Sequence, residues 1–242
     1  MTTWTPRALA SETGDYAGDL WRVVESQHIA STMRLVESLA EQALLESILE
    51  ESKPALPAGT EMLHYLLATP FRYRPRIGSR FRAPFDAGVW YGAEELRTAL
   101  AEKSYWLLRF LIDSPRTPDL GPVPHTAFSA SVRAKAIDLT RRPLARHRAS
   151  WTSRIDYAPT QALALTAREA GIAMIRYESV RDPEHKACVA VLMPAAFRHA
   201  RPRHQETWFI AAARERVRCA KDARSGTSLE FAREQLTGEA AG

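Results

Sequence analysis

The chain has 242 residues, 45% of them hydrophobic and 25% charged, with a formal net charge of +5 at pH 7; that is an ordinary globular composition, enough for one domain with a sizeable core. Its two cysteines, Cys188 and Cys219, are too few and too far apart for a disulfide framework or a zinc site, so both are expected as reduced, cytoplasmic thiols. No stretch reaches the ~18 uncharged apolar residues of a membrane span, and Met1 to Ala10 lacks the apolar run of a signal peptide, which predicts a soluble intracellular protein.

Residues 1–19 are polar, contain Gly14 and Gly18 and show no periodicity, so a loose leader is predicted. Leu20 to Ser26 reads as a first strand or a helical lead-in. From Thr32 to Ser52 the pattern is helical, with Val36, Leu39, Ala40, Ala43 and Leu44 on one face and glutamates on the other. Lys53-Pro54 stops that helix, and Pro54 to Gly59 follows as a linker. Residues 20–59 are thus expected to form a helical N-terminal extension of a single domain running to residue 225.

Between residues 64 and 92, Pro70, Pro75, Gly78, Pro84 and Gly88 interrupt helical periodicity, so short strands and shaped loops are expected. Val89 to Tyr91 reads as a strand. Glu94 to Asp113 reads as a helix with Leu96, Ala99, Leu100, Trp106, Leu107 and Phe110 inward, closed by Ser114-Pro115. The second half alternates strand candidates at Thr126–Val132, Ile172–Tyr177, Ala187–Met193 and Thr207–Ala212 around a helix near Thr160–Ala170, which makes the chain mixed α/β. No internal repeat is present, and residues 226–242 read as a tail that frays beyond Leu229–Phe231.

Three segments concentrate chemistry. The run Phe71 to Arg82 sets Arg72, Arg74, Arg76, Arg80 and Arg82 beside Gly78, which lets backbone approach a ligand; such a loop can clamp a pyrophosphate or be a solvated basic turn. All basic residues except Lys53, Lys103, Lys135, Lys186 and Lys221 are arginine. Guanidinium forks suit phosphates, but genome base composition produces the same bias. The second segment is Gly88-Val89-Trp90-Tyr91 followed by Glu102, three residues after Ala99 and four before Trp106, a spacing that puts the carboxylate at the border of the apolar helix face. The third is Tyr177 to Pro183, where Ser179 closes a strand and reads either as a pocket residue or as a turn residue. A Walker loop, a Gly-x-Gly-x-x-Gly after a strand, His-Glu-x-x-His, a Gly-x-Ser-x-Gly elbow and zinc spacing are all missing, which disfavours nucleotide kinases, Rossmann dehydrogenases and zinc hydrolases.

At these segments the sequence resembles the RES-domain family, named for an arginine, a glutamate and a serine. The family's glycine-flanked arginine with a following aromatic corresponds to Gly78-Ser79-Arg80-Phe81, its strand ending in tyrosine to Gly88-Val89-Trp90-Tyr91, its Thr-Ala-x-x-Glu helix to Thr98–Glu102, and its serine to Ser179 in Tyr177–Asp182. The resemblance is nearest to a longer subgroup, shared through Trp21–Gln27, the Glu41-Gln42 helix and Leu66–Tyr73. An early family arginine after an aromatic corresponds to either Arg22 or Arg72.

The resemblance implies an ADP-ribosyltransferase-like mixed sheet and a toxin of a toxin–antitoxin system that degrades NAD⁺, by hydrolysis or phosphorolysis at the nicotinamide–ribose bond. NAD⁺ is then substrate, with inorganic phosphate as a second candidate, and neither a cofactor nor a metal is implied. The partner implied is an antitoxin with an Xre-like helix-turn-helix module, through which any DNA contact would run; homo-oligomerisation stays open. Glu102 would stabilise the cationic ribose, Arg80 with Arg22 or Arg72 would hold pyrophosphate, Tyr91 and Tyr73 would contact the substrate, and Ser179 would hydrogen-bond a carboxamide or ribose hydroxyl. Two other readings stand beside this one. An ADP-ribosyltransferase would retain label on a macromolecule, and a non-catalytic nucleic-acid module using Arg72 to Arg82 would show salt-dependent oligonucleotide binding without NAD⁺ turnover.

Overall fold

The computed structural model describes residues 4–26, 38–221 and 226–238. Its organising element is β3 (Leu120–Asp138), in which Ala127 to Val132 are buried without alternation. Small and apolar side chains run on there because both faces of the strand are covered. β1 (Gly14–Glu25) pairs antiparallel with β3 from Gly14↔Ala136 to Glu25↔His125. On the other edge of β3, β6 (His204–Ala213) lies antiparallel along the first half and β4 (Met174–Glu178) parallel along Ala136 to Asp138. From β4 the sheet continues through β5 (Ala187–Val191) to β2 (Trp90–Ala93), which touches β1 at Trp21↔Ala93, so that these strands close on themselves. β7 (Arg216–Ala220) and β8 (Ser228–Ala232) extend the sheet past β6.

The helices are α1 (Pro6–Ser11), α2 (Leu39–Glu51), α3 (Tyr65–Arg72), α4 (Leu96–Asp113), α5 (Arg148–Trp151), α6 (Ala158–Glu169) and α7 (Arg233–Thr237). The larger core lies between the sheet and α4, α6 and α7 and contains Leu100, Leu108, Leu111, Leu163, Trp208, Phe231 and Leu236. A second core holds Leu66, Leu67 and Phe71 of α3 with Trp90, Phe128 and Met174 of the sheet. Because side chains alternate along a strand, sending Trp90 into the second core turns Tyr91 toward the opposite face.

The sequence-predicted strands and the helices near Glu94–Asp113 and Thr160–Ala170 are present, with shifted ends. Several expectations are corrected. The leader expected to be loose is folded: Thr5 Oγ1 caps α1 by accepting from the Ala8 N–H, Leu9 is fully buried, and β1 begins at Gly14. A polar, glycine-containing run becomes a strand there because β3 supplies its backbone partners over twelve residues. The tail is also folded through α7, since Phe231 and Leu236 are buried in the larger core. Each such burial contributes about 1.5–3 kcal/mol.

Pro70 does not exclude a helix; it lies inside α3. The N–H it lacks would have bonded to the Leu66 carbonyl, and that oxygen instead accepts from Trp90 Nε1 at 3.3 Å. In α4 the buried row is Ala101, Ser104, Leu108 and Leu111, whereas Trp106 and Phe110, expected inward, are 55% and 50% exposed. Leu44 of α2 is likewise exposed. The helical residues 32–37 expected before α2 lie outside the described residues. Among the described residues, no helix is long and apolar enough to cross a membrane.

Candidate functional site

A cavity of about 430 Å³ opens between the β1–β2 junction and the face of α4 that carries Ala99, Glu102, Lys103 and Trp106. Arg22, Arg80, Tyr91, Tyr157, Tyr177, Arg181 and Cys188 complete most of its wall. A second cavity, of about 360 Å³, adjoins it and shares Arg22, Val24, Glu25, Ser79 and Tyr91 with it; Tyr65 and Tyr73 line its far side.

Glu102 is fixed by a knot at the end of β4. Ser179, fully buried, accepts the backbone N–H groups of Arg181 at 3.2 Å and Asp182 at 3.0 Å, which occupies both lone pairs of its hydroxyl oxygen. Its only hydrogen therefore points to Glu102 Oε1, 2.6 Å away. Asp182, also fully buried, accepts from Thr98 Oγ1 at 2.7 Å and pairs with Arg97, tying the same turn to the first turn of α4. The turn and the helix that carries the carboxylate are thus locked together. Burial raises the Glu102 pKa above the ordinary carboxylate range, against the lowering pull of Ser179, Arg181 and Arg80. Burial also pushes the Cys188 thiol and the Tyr177 phenol well up, so both neighbours of Glu102 remain protonated and neutral.

The arginine loop divides its forks among different tasks. Arg80, 8% exposed, donates through Nη1 to the Trp151 carbonyl at 2.7 Å and lies over the Tyr157 ring, 4.8 Å from its centroid. Arg82 donates to the carbonyls of Pro75 and Ile77 and so closes its own loop. Arg72 donates to the Pro54 carbonyl and lies outside both cavities of the cleft. The Tyr91 hydroxyl accepts the Phe81 N–H at 3.0 Å and shares a hydrogen with Ser79 Oγ at 2.8 Å, which pins the loop next to Arg80. Gly78 does leave room for a close approach, but the neighbours are Gln161 Nε2 and the Arg82 carbonyl, not an open ligand space.

The structure therefore brings Arg80, Tyr91, Glu102 and Arg22 to one cavity. Arg22 reaches it from β1, donates to the Tyr91 carbonyl at 2.9 Å, and is pulled down to about 10 by burial. Ser179 is not in the wall; it acts on the cavity only through Glu102. Tyr73 belongs to the adjoining cavity. Of the two candidates for the early arginine, only Arg22 faces the cleft.

Sequence reasoning passed over Arg181, Lys103, Tyr157 and Cys188, all of which line the cavity. Arg181 stood two residues after Ser179, and turn geometry swings it inward. Tyr157 precedes α6 and carried no local signal.

A family model described as the RES domain matches residues 57–211. Among solved structures, the chain is similar to a chain of the M. tuberculosis MbcT–MbcA toxin–antitoxin complex, with 12% identity, a TM-score of 0.52, and coverage of 84% of this chain and 90% of that one. No curated protein matches the sequence. At 12% identity the likeness speaks for the fold alone, and the fold class expected from the sequence, an ADP-ribosyltransferase-like mixed sheet, is the one found.

Proposed function

The chain belongs to the RES-domain family, and from that premise we propose that it is the toxin of a toxin–antitoxin pair and cleaves NAD⁺ at the nicotinamide–ribose bond. The observation that carries this reading is the Glu102 carboxylate, oriented by Ser179 and set in the wall of a half-open cavity that also presents Arg22, Arg80 and Arg181. NAD⁺ combines an anionic pyrophosphate with a ribose that becomes cationic as nicotinamide departs. A site for it needs both charges close together, and this cleft has them.

In the proposed reaction the bond from ribose C1′ to the nicotinamide nitrogen breaks, and its electron pair stays on that nitrogen, which becomes neutral. The oxocarbenium-like C1′ is then stabilised by ionised Glu102. An oxygen of water or phosphate adds to C1′, and when water attacks, its proton passes to Glu102. A carboxylate with a raised pKa is a better proton acceptor near neutrality than an ordinary one. The arginines hold phosphate groups by charge-assisted hydrogen bonds, and the Tyr91 ring, whose hydroxyl is engaged by the arginine loop, offers its face to the substrate.

The similar solved structure is that of a toxin–antitoxin complex. For this chain we propose an antitoxin with an Xre-like helix-turn-helix module whose acidic or carboxylate-ended segment occupies the cleft. Any DNA contact then runs through that partner. The test is direct: purified protein is incubated with NAD⁺, with and without inorganic phosphate, and the products are identified by mass. Free nicotinamide with ADP-ribose or its phosphate is expected. ADP-ribose retained on a macromolecule would replace this reading by transfer, and no NAD⁺ loss from folded protein would overturn it.

A further inference from the structure

Two apolar surfaces of the chain are left uncovered, and they differ in charge. The first is α2. None of its residues whose burial is described is buried, and Leu44, Ile48 and Leu49 are exposed. Leu44 and Ile48, like Leu45 and Leu49, stand four residues apart, so they form adjoining rows on one side of the helix. Its sequence contains four glutamates and no lysine or arginine. A helix of 13 residues is marginal in water until an apolar face is packed.

The second surface is the outer side of the arginine loop. Ile77 and Phe85 are 81% and 60% exposed there. Arg74 and Arg76 are exposed as well, and neither side chain has an ion pair or a hydrogen bond among the described residues. The loop is held rigid from within: the Phe85 N–H donates to the Pro75 carbonyl at 3.1 Å, and Arg82 ties the carbonyls of Pro75 and Ile77 together. Phe85 has a φ of 65°, a left-handed conformation that bulky side chains rarely adopt. The fold thus spends backbone strain to show a phenyl ring to water, which is the combination found where a ring is covered by a partner.

Within one chain the foot of the helix and the foot of the loop are neighbours. Arg72 Nε donates to the Pro54 carbonyl, and residues 54–58 share one cavity wall with Arg72 to Pro75. A two-fold axis beside that point sets each α2 against the loop of the other copy and makes both contacts at once.

We propose that the chain forms a two-fold dimer in which the apolar rows of α2 cover Ile77 and Phe85 of a second copy, with the acidic helix facing Arg74 and Arg76. The occupant is a second copy because these two surfaces match in charge and in apolar character. Helix against helix, or loop against loop, would set like charges together. Ser79 and Arg80 belong to the same loop and line the main cavity, so the contact braces one wall of the cleft. The dimer does not depend on the reaction proposed above.

Sedimentation velocity over a range of protein concentrations tests it. Wild type and Arg133→Glu, an exposed control on β3, should form a dimer that weakens as salt rises. The helix variant Leu44→Gln/Ile48→Gln and the loop variant Arg74→Glu/Arg76→Glu should each dimerise at least tenfold more weakly, with melting curves confirming that they fold. Each variant keeps one surface intact, so a mixture of the two should associate more tightly than either alone. If the helix variant does not fold, the loop variant decides. A wild type that stays monomeric overturns the proposal, as does a loop variant that dimerises like wild type, which would mean that α2 pairs with α2. No gain on mixing the folded variants also overturns the helix-to-loop pairing. A monomer that binds single-stranded oligonucleotides through Arg74 and Arg76 would replace the dimer by a nucleic-acid surface.

Discussion

Replacing Glu102 by glutamine is the most informative single change, because it keeps the shape and the acceptor while removing the charge. Ser179 Oγ can still donate to the Oε1 position, since its lone pairs are filled by the Arg181 and Asp182 N–H groups whatever sits at 102. What is lost is the attraction between a carboxylate and the positive ribose. At a separation of about 4 Å and an effective dielectric constant near 20 this is on the order of 4 kcal/mol, or roughly a thousandfold in rate. Stability should move the other way. The folded pKa of Glu102 lies above its unfolded value because of burial; a group shifted in that direction contributes stability below the unfolded pKa and loses it as pH rises through the folded one. Ionised Glu102 therefore weakens the fold at neutral pH, and Glu102→Gln should melt higher than wild type at pH 7, with the two converging in acid. Wild-type turnover should fall as pH drops through the raised pKa, above the usual carboxylate range. NAD⁺ loss by the purified variant, with melting curves at pH 4 and pH 7, tests both limbs. Wild-type turnover, or a variant that melts lower at pH 7, would refute the reasoning.

Arg80→Ala removes a fork that contributes binding more than chemistry, so KM for NAD⁺ should rise by the equivalent of about 1.5–3 kcal/mol with a smaller change in kcat; steady-state kinetics at fixed ionic strength check this. Ser179→Ala strands two backbone N–H groups and one Glu102 oxygen, and should destabilise the fold by about 1–3 kcal/mol in denaturant titration. Because the Ser179 hydroxyl lowers the Glu102 pKa, its loss should also move the acid limb of the rate profile to higher pH, a shift that general destabilisation would not produce. Gly88→Ala would place a methyl group 2.0 Å from the Pro70 carbonyl oxygen and 2.7 Å from Phe71 Cα; a melting temperature within a degree of wild type would contradict that contact, and the expected loss is about 3 kcal/mol or more.

What was legible in the sequence was what periodicity and turn chemistry encode. The short apolar run Val89 to Tyr91 and the apolar spacing of α4 placed Tyr91 and Glu102 on the elements that hold them. The position of Glu102 at the edge of the apolar face was readable too, and in the structure that edge is the cavity wall. Leu20 to Ser26 reads as a strand or a helical lead-in, but the first half of β1 was hidden because its partner is more than a hundred residues away in β3, and pairing energy leaves no trace in local propensity. Arg22 could not be separated from Arg72 for the same reason: only the closure of β1 on β2 at Trp21↔Ala93 aims Arg22 at the cleft. α3 was masked by Pro70, whose cost is offset by a tertiary hydrogen bond from Trp90. Ser179 was readable either as a turn residue or as a pocket residue, and it is a turn residue that acts on the pocket through the carboxylate it orients.

The arginine content alone separates nothing, since base composition would scatter guanidinium groups as freely as function would. The distinction lies in what each fork touches. On the surface Arg148 pairs with Glu178, Arg109 with Asp113 and Arg218 with Glu230, contacts worth about 0–1 kcal/mol each and readily dispensable. Arg82 is as buried as Arg80 but spends its N–H groups on the carbonyls of its own loop, and its role ends with that loop. Arg22, Arg80 and Arg181 differ from both sets: they are enclosed, they are held by carbonyls or ring faces, and part of each fork faces the space beside Glu102. Burying a cation with no ion pair of its own costs several kcal/mol; Glu102 is near enough for Arg80 and Arg181 to lower its pKa but bonds to Ser179, and the fold's stability offers no reason to retain three. An anionic ligand does. Clustering in sequence would have grouped Arg72, Arg74, Arg76 and Arg82 with Arg80; the free edge of a buried fork selects Arg80 from that run and joins it to Arg22 and Arg181, which the sequence places 58 residues before it and 101 residues after it.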